Sequence, residues 1–281
     1  MKTVVRAFWV SALLLMTSAC SSTFVYNNLD WLVHWYLDDY VDLDRTQKEH
    51  FDINLEKWLA WHRSEELARY HAHLESLKNA LQAGSMDETQ WLEQFELARD
   101  HWERLLRKLG PDLAVLITEL DDKQVEEMFE ELEEENRKEE KKWQKRVEQE
   151  RLQRRIDNLE EDVSRWIGRL TDQQKALIAE FSPQFHENFP LWMEYRRTWQ
   201  SQVKALLVAD SDLASRQASL EALLTEPRQV RTENYQQKSR QNGELYARLI
   251  ASLQKSLSDK QRKKLIDELQ SLQDDLEDLM E

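Results

Sequence analysis

Five short words recur along the chain: LDRTQ at 43, MDETQ at 86, LDDKQ at 120, LTDQQ at 170 and LSDKQ at 257. Each sets an apolar residue, then Ser, Thr or Asp, then two free positions, then Gln. The first backbone N–H groups of a helix have no partner within it, and Ser, Thr or Asp at the N-cap accepts from one of them. A Gln three residues later reaches back to the N-cap N–H and completes a capping box. Thr171 with Gln174 and Ser258 with Gln261 fit this pattern. Asp44 with Gln47, Asp87 with Gln90 and Asp121 with Gln124 use a carboxylate, which also suits the positive end of a helix. Five helix starts are therefore predicted. The preceding apolar residue can act as a hydrophobic staple only where the fourth helical residue is apolar, at Trp91 and Val125. Intervals of 43, 34, 50 and 87 residues are too irregular for a solenoid.

Composition agrees with helices and little else. Four Gly and four Pro in 281 residues leave scant material for the tight turns of sheets, while 41% hydrophobic content supports a core. A net charge of -15, with cations interleaved among carboxylates, argues against binding nucleic acid through its phosphates.

The N-terminus reads as a processed signal. Lys2 and Arg6 precede an apolar run from Ala7 to Met16, then TSAC. Such a run is too short to span a bilayer, which takes about 20 residues. Cys20, the sole cysteine, follows directly on small residues, so no disulfide forms within the chain. The stretch resembles a bacterial lipoprotein signal, although Thr17 stands where Leu is usual and Thr17-x-Ala19 also fits ordinary secretory cleavage. The resemblance implies residues 1–19 as signal peptide, Cys20 as the lipidated (palmitate-bearing) first residue, and 20–281 as a single helical periplasmic domain. Ser21 after the cysteine, by likeness to sorted lipoproteins, implies the outer membrane, with the membrane itself a partner through the anchor.

Residues 24–43, FVYNNLDWLVHWYLDDYVDL, are dense in aromatics, and Trp31, Trp35, Tyr36 and Tyr40 fall at helical spacing. YNNLDWLVHWYLDDYVDLDRTQ with WLAWHRSEELARY resembles an uncharacterised family of bacterial lipoproteins, domain of unknown function 6279. That resemblance implies a lipid anchor and a long helical body, and carries no activity. Separately, LTDQQ resembles the Leu-Thr-x-x-Gln repeats of small all-helical periplasmic stress chaperones.

Beyond residue 43 the pattern predicts an elongated all-α bundle of long helices. One apolar stripe runs from Phe51 through Trp58 and Leu67 to Leu81 and stops at Gly84. Further helices are expected over 87–109, ending at Gly110-Pro111, over 112–119, and over 122–169 as the longest element. The last of these carries a coiled-coil seam at 152, 156, 159, 163, 166 and 170, and a highly charged stretch at 133–151 expected to be exposed or to protrude as a protein-facing arm. Helices over 183–207, 212–225, 227–256 and from Asp259 complete the set.

Chemistry is not evident in the linear order. No histidine follows Glu by three residues and none lies four from another, so neither a metal nor a cofactor is expected. His71 and His73 should face different ways. Asp38 and Asp42, sharing a face, read as helix-end carboxylates rather than an acid–base pair. No catalytic residue or small-molecule substrate is expected. Trp58, Trp61, Trp91, Trp102, Trp166, Trp192 and Trp199 are expected in the core, and Trp31, Trp35, Tyr36 and Trp143 are candidates for interaction. The expected role is a scaffold or accessory protein of the cell envelope with a protein partner, or alternatively a holdase-like chaperone of unfolded clients.

Overall fold

Each of the five capping words opens a helix in the computed structural model, which describes Val25, Tyr26 and residues 28–280. In chain order these are α1 (Leu29–Leu37), α2 (Arg45–Trp61), a π-turn (His62–Glu66), α3 (Leu67–Ala83), α4 (Glu88–Ile117), α5 (Asp122–Gln144), α6 (Glu148–Ile167) and α7 (Asp172–Phe181). A 3-10 turn (Ser182–Gln184), α8 (Phe189–Leu207), α9 (Leu213–Thr225), a 3-10 turn (Pro227–Val230), α10 (Glu233–Lys255) and α11 (Asp259–Met280) follow. The fold is all-α, with no strand among the described residues. Residues 1–19, expected as a signal peptide, and Cys20 lie outside them.

The side chains of Asp44, Asp87, Asp121 and Thr171 accept from the N–H groups of Gln47, Gln90, Gln124 and Gln174, which bond back to the N-cap. Ser258 does the same with Gln261, at 3.3 and 3.1 Å. Four of these glutamines do more than cap. Gln47 and Gln124 exchange amide hydrogen bonds of 2.9 and 2.8 Å, and each donates again to the carbonyl two residues before the other's N-cap, Glu119 and Asp42. Gln174 and Gln261 repeat the set at 3.0 and 2.9 Å, donating also to the carbonyls of Ser256 and Arg169. Every donor and acceptor of the four amides is thereby used. At the remaining box, Gln254 takes the partner's place, accepting from Met86 N–H and donating to the Gly84 carbonyl.

The two clasps expose a repeated plan. In the first half, the start of a long interrupted helix (α2, π-turn, α3) is clasped to the start of α5. In the second, the start of another interrupted helix (α7, 3-10 turn, α8) is clasped to the start of α11. The halves interlock: α3 packs on α11, α8 packs on α5, and α4 packs on α9 and α10 between them.

The helix expected over 183–207 begins only at Phe189, after the 3-10 turn Ser182–Gln184. Three further boundary expectations are corrected. Pro111 does not end a helix at 109, because α4 continues through it to Ile117. Proline in a helix interior costs about 3 kcal/mol, but the residues on both sides are committed to the core. Leu109, Leu113 and Leu116 pack on Phe51, Leu55 and Trp58, and Ala114 is buried against Val125 and Val203. Gly110 lets α9 approach, since a Cβ there would strike the Thr225 methyl. Second, 122–169 is two helices, broken at 145–147. α5 packs on α8 whereas α6 packs on α7 and α11, so a straight rod reaches only one of these sets. Third, 227–256 begins as a 3-10 turn, and α10 starts at Glu233 after Thr232 caps it.

The 133–151 stretch does not protrude as an arm. Arg197 of α8 bonds both Glu133 and Glu140, Arg196 pairs with Glu135, and Asn136 is fully buried, donating to Gln200 at 2.7 Å. Glu134, Arg137, Lys138 and Lys141 form the solvent face of α5, and the turn at 144–150 is open apart from Arg146. The predicted seam residues Ile156, Leu159, Val163, Trp166 and Leu170 enter a cluster with Ile178, Leu249 and Leu253. The staples at Trp91 and Val125 form, with Trp91 in one cluster with Met86 and Val125 in one with Leu120. Of the seven tryptophans expected in the core, Trp58 alone is buried and Trp102 is 43% exposed. Rings this large sit at helix junctions with one edge in water.

Candidate functional site

The apolar stripe of α2 and α3 steps by three and four residues up to His62 and then by five to Leu67. An α-helix cannot absorb a step of five without turning its stripe away from the core, and a π-turn absorbs it with one added residue. The π-turn is His62–Glu66, and it carries Glu66 to the interior with no exposed surface.

A buried carboxylate needs paired charge and hydrogen bonds. Arg104 of α4 supplies both, with Nε donating to Oε1 at 2.8 Å and an Nη to Oε2 at 3.3 Å. Arg69 stands 3.6 Å from Oε1. Burial alone would raise the Glu66 pKa, but the bonds and charge of Arg104, with the charge of Arg69, outweigh it and hold the carboxyl below its usual range.

From Arg104 the network runs outward in one direction. Its guanidinium also donates to His101 Nδ1, which must therefore be the accepting nitrogen, since arginine has no acceptor. His101 Nε2–H then donates to His73 Nδ1 at 3.1 Å, and His73 Nε2–H to Gln94 Oε1 at 3.1 Å. This assignment needs both imidazoles neutral. Burial, the Arg104 charge and His73 push His101 down to about 4, and burial lowers His73 against the opposing Gln94 bond. Tyr70 crosses His101 edge-on at 4.6 Å, and burial with the Glu66 charge pushes its hydroxyl up to about 12. Its oxygen lies 3.3 Å from His62 Nε2, while His62 Nδ1 lies 2.9 Å from the Tyr26 hydroxyl. Burial lowers the His62 pKa despite Glu66 nearby.

The network fastens elements to one another: Glu66 of the π-turn is paired with Arg104 of α4, and its carboxylate is out of reach of solvent. Through Tyr26, whose ring also packs with Leu67, Leu276 and Leu279, the network ties the start of the described chain to the π-turn and the end of α11. Arg63 covers the Tyr26 ring at 5.3 Å.

The predicted interaction residues separate. Trp31 and Trp35 stack on one another at 6.5 Å, 62% and 51% exposed. Tyr36 is half-buried and donates to Tyr40, whose hydroxyl donates to Glu135 of α5. Trp143 is half-buried, stacked on Phe189 of α8 at 5.4 Å with Arg151 over it. His71 and His73 diverge, the first to Glu277 of α11 and the second to His101 of α4. Asp38 is exposed, and Asp42 gives its carbonyl to the first clasp. Sequence reasoning missed Glu66, His101 and Arg104; the five-residue step at His62 was the available signal.

Residues 39–236 match a family of unknown function, DUF6279. The chain belongs to that family. No curated protein and no solved structure matches it. The DUF6279 region contains Glu66, Arg104, His101 and the first four capping boxes. Trp31, Trp35 and the fifth box flank it.

Proposed function

We propose that this DUF6279 member is a lipid-anchored periplasmic protein of the outer membrane that serves as a non-enzymatic scaffold or accessory subunit of an envelope complex. The observation that carries the reading is the fastening of Tyr26. Only five residues separate it from Cys20, so a lipid on Cys20 holds the whole bundle through a joint built into the π-turn network. No helix among the described residues is long and apolar enough to cross a membrane. An anchor of another kind, such as two or more acyl chains, supplies stable attachment.

The exposed apolar residues other than the α1 pair are spread singly over α2, α4, α9 and the connecting turns. That distribution favours docking of a folded partner over cradling of unfolded clients. The test is affinity capture with crosslinking from native envelopes, comparing the wild-type chain with Cys20→Ala. One or two defined proteins captured only by the wild type is the expected result. A broad spread of unfolded proteins, with suppression of aggregation at near-equal amounts, makes the holdase reading correct instead.

A further inference from the structure

We propose that the outer face of α1 is a membrane-contact surface, on which Trp31 and Trp35 seat in the headgroup region of a zwitterionic phospholipid leaflet. The proposal rests on the lipid-anchored reading.

α1 is two-faced. Val33 and Leu37 pack against Phe51, Leu55 and Trp58, and His34 meets Asp52 at 2.6 Å, so one side of the helix belongs to the bundle. Trp31 and Trp35, four residues apart, share the outward side and lie nearly parallel, 16° between ring planes. Two large rings in water need a reason. Trp couples an apolar body to an N–H donor, which suits the boundary between headgroups and acyl chains.

Reach supports that destination. The six residues from Cys20 to Tyr26 span at most about 20 Å. From Tyr26, three residue steps of at most about 11 Å lead to Leu29, and the helical rise of 1.5 Å per residue adds about 3 and 9 Å to Trp31 and Trp35. The pair is therefore held close to whichever leaflet receives the lipid.

Size decides between lipid and protein. Two aromatic side chains offer at most about 500 Å², short of the roughly 800 Å² per partner of a stable protein interface. A membrane contact has no such threshold, because the acyl chains supply the affinity and the short tether supplies the local concentration. Asp30, Asp38 and Asp39 flank the pair and are exposed. They keep the helix from sinking below the headgroups and oppose an anionic surface, as does the net charge of -15.

The experiment reconstitutes the mature acylated chain into phosphatidylcholine vesicles brominated near the top of the acyl chains and reads tryptophan emission. Trp31 and Trp35 are two of ten tryptophans after residue 20. Quenching of up to about a fifth of the emission is expected, strongest for shallow bromines. It should be lost in Trp31→Phe/Trp35→Phe, and reduced when phosphatidylglycerol is added. Equal quenching in both proteins, or none while the protein floats with the vesicles, overturns the proposal and leaves the anchor reading standing. A protein crosslinked to position 31 or 35 in native envelopes also overturns it. An intact mass without acyl chains overturns the anchor reading instead. In that case the same quenching is read after coupling the Cys20 thiol to a maleimide headgroup, which tests α1 separately.

Discussion

Glu66 and Arg104 form a pair in which each needs the other more than the fold needs both. Removing one partner of a buried pair strands the other charge, at about 3–5 kcal/mol, whereas replacing both by apolar groups is often near neutral. Glu66→Gln should therefore lower the urea midpoint by an amount corresponding to about 3 kcal/mol with an unchanged m-value, and Glu66→Met/Arg104→Met should recover much of it. The neighbouring histidines set a pH dependence with a definite sign. His101 is held neutral in the folded state, with its pKa lowered from 6.5 to about 4. Its contribution is complete above pH 6.5 and is lost as the pH falls toward 4, on the order of 3 kcal/mol for a shift of this size. His62 and His73 shift the same way, and the lowered Glu66 adds a further loss below its ordinary range near 4.5. Urea unfolding should be level from pH 7.5 to about 6.5 and decline from there to pH 4, less steeply in His101→Gln, where His62 and His73 still contribute.

At the level of elements, the π-turn is a register device. Inserting an alanine after Ser64, an exposed residue within it, lengthens the step from His62 to Leu67 to six and rotates everything after it by about 100° relative to α2. Leu67 and Leu81, both buried, then leave their clusters with Leu276, Leu279 and Leu269. Loss of a cooperative thermal transition with retained helical far-ultraviolet signal is the expected result. The same scale shows what the chain announces openly. Capping boxes are legible because cap, Gln and first turn lie within four residues and answer to local hydrogen bonding. Their pairing is not, since Gln47 and Gln124 are 77 residues apart and no local rule links them. Pro111 misleads because its local preference is real and is overruled only by burial of α4 on both sides. The break at 145–147 leaves no trace, as Val147 at the start of α6 carries no side-chain cap and the surrounding residues all favour helix. The Glu66 network was half legible, its turn present as a five-residue step and its partners hidden on α4.

Across the whole molecule, the interlock means that neither half completes its own core. α3 buries Leu67 and Leu81 against α11, and α5 buries Val125 and Phe129 beside Val203 and Leu207 of α8. A chain lacking residues 271–281 loses Leu272, Leu276 and Leu279, which are buried. Hydrogen exchange should then show protection lost across α3 and the Tyr26 joint, far away in sequence, before it is lost in α4. Protection lost only in the remaining part of α11 would show the halves to be independent.

The dependence of α3 on α11 also sets a timetable. A chain grows from its N-terminus, so the Gln47–Gln124 clasp can close once α5 has emerged, well before α11 is made. α3 must wait for the last turns of α11. Throughout that interval the part of its apolar stripe that α11 covers stays open, and a newborn chain carries an unfinished seam beside the Tyr26 joint until Leu276 and Leu279 are made.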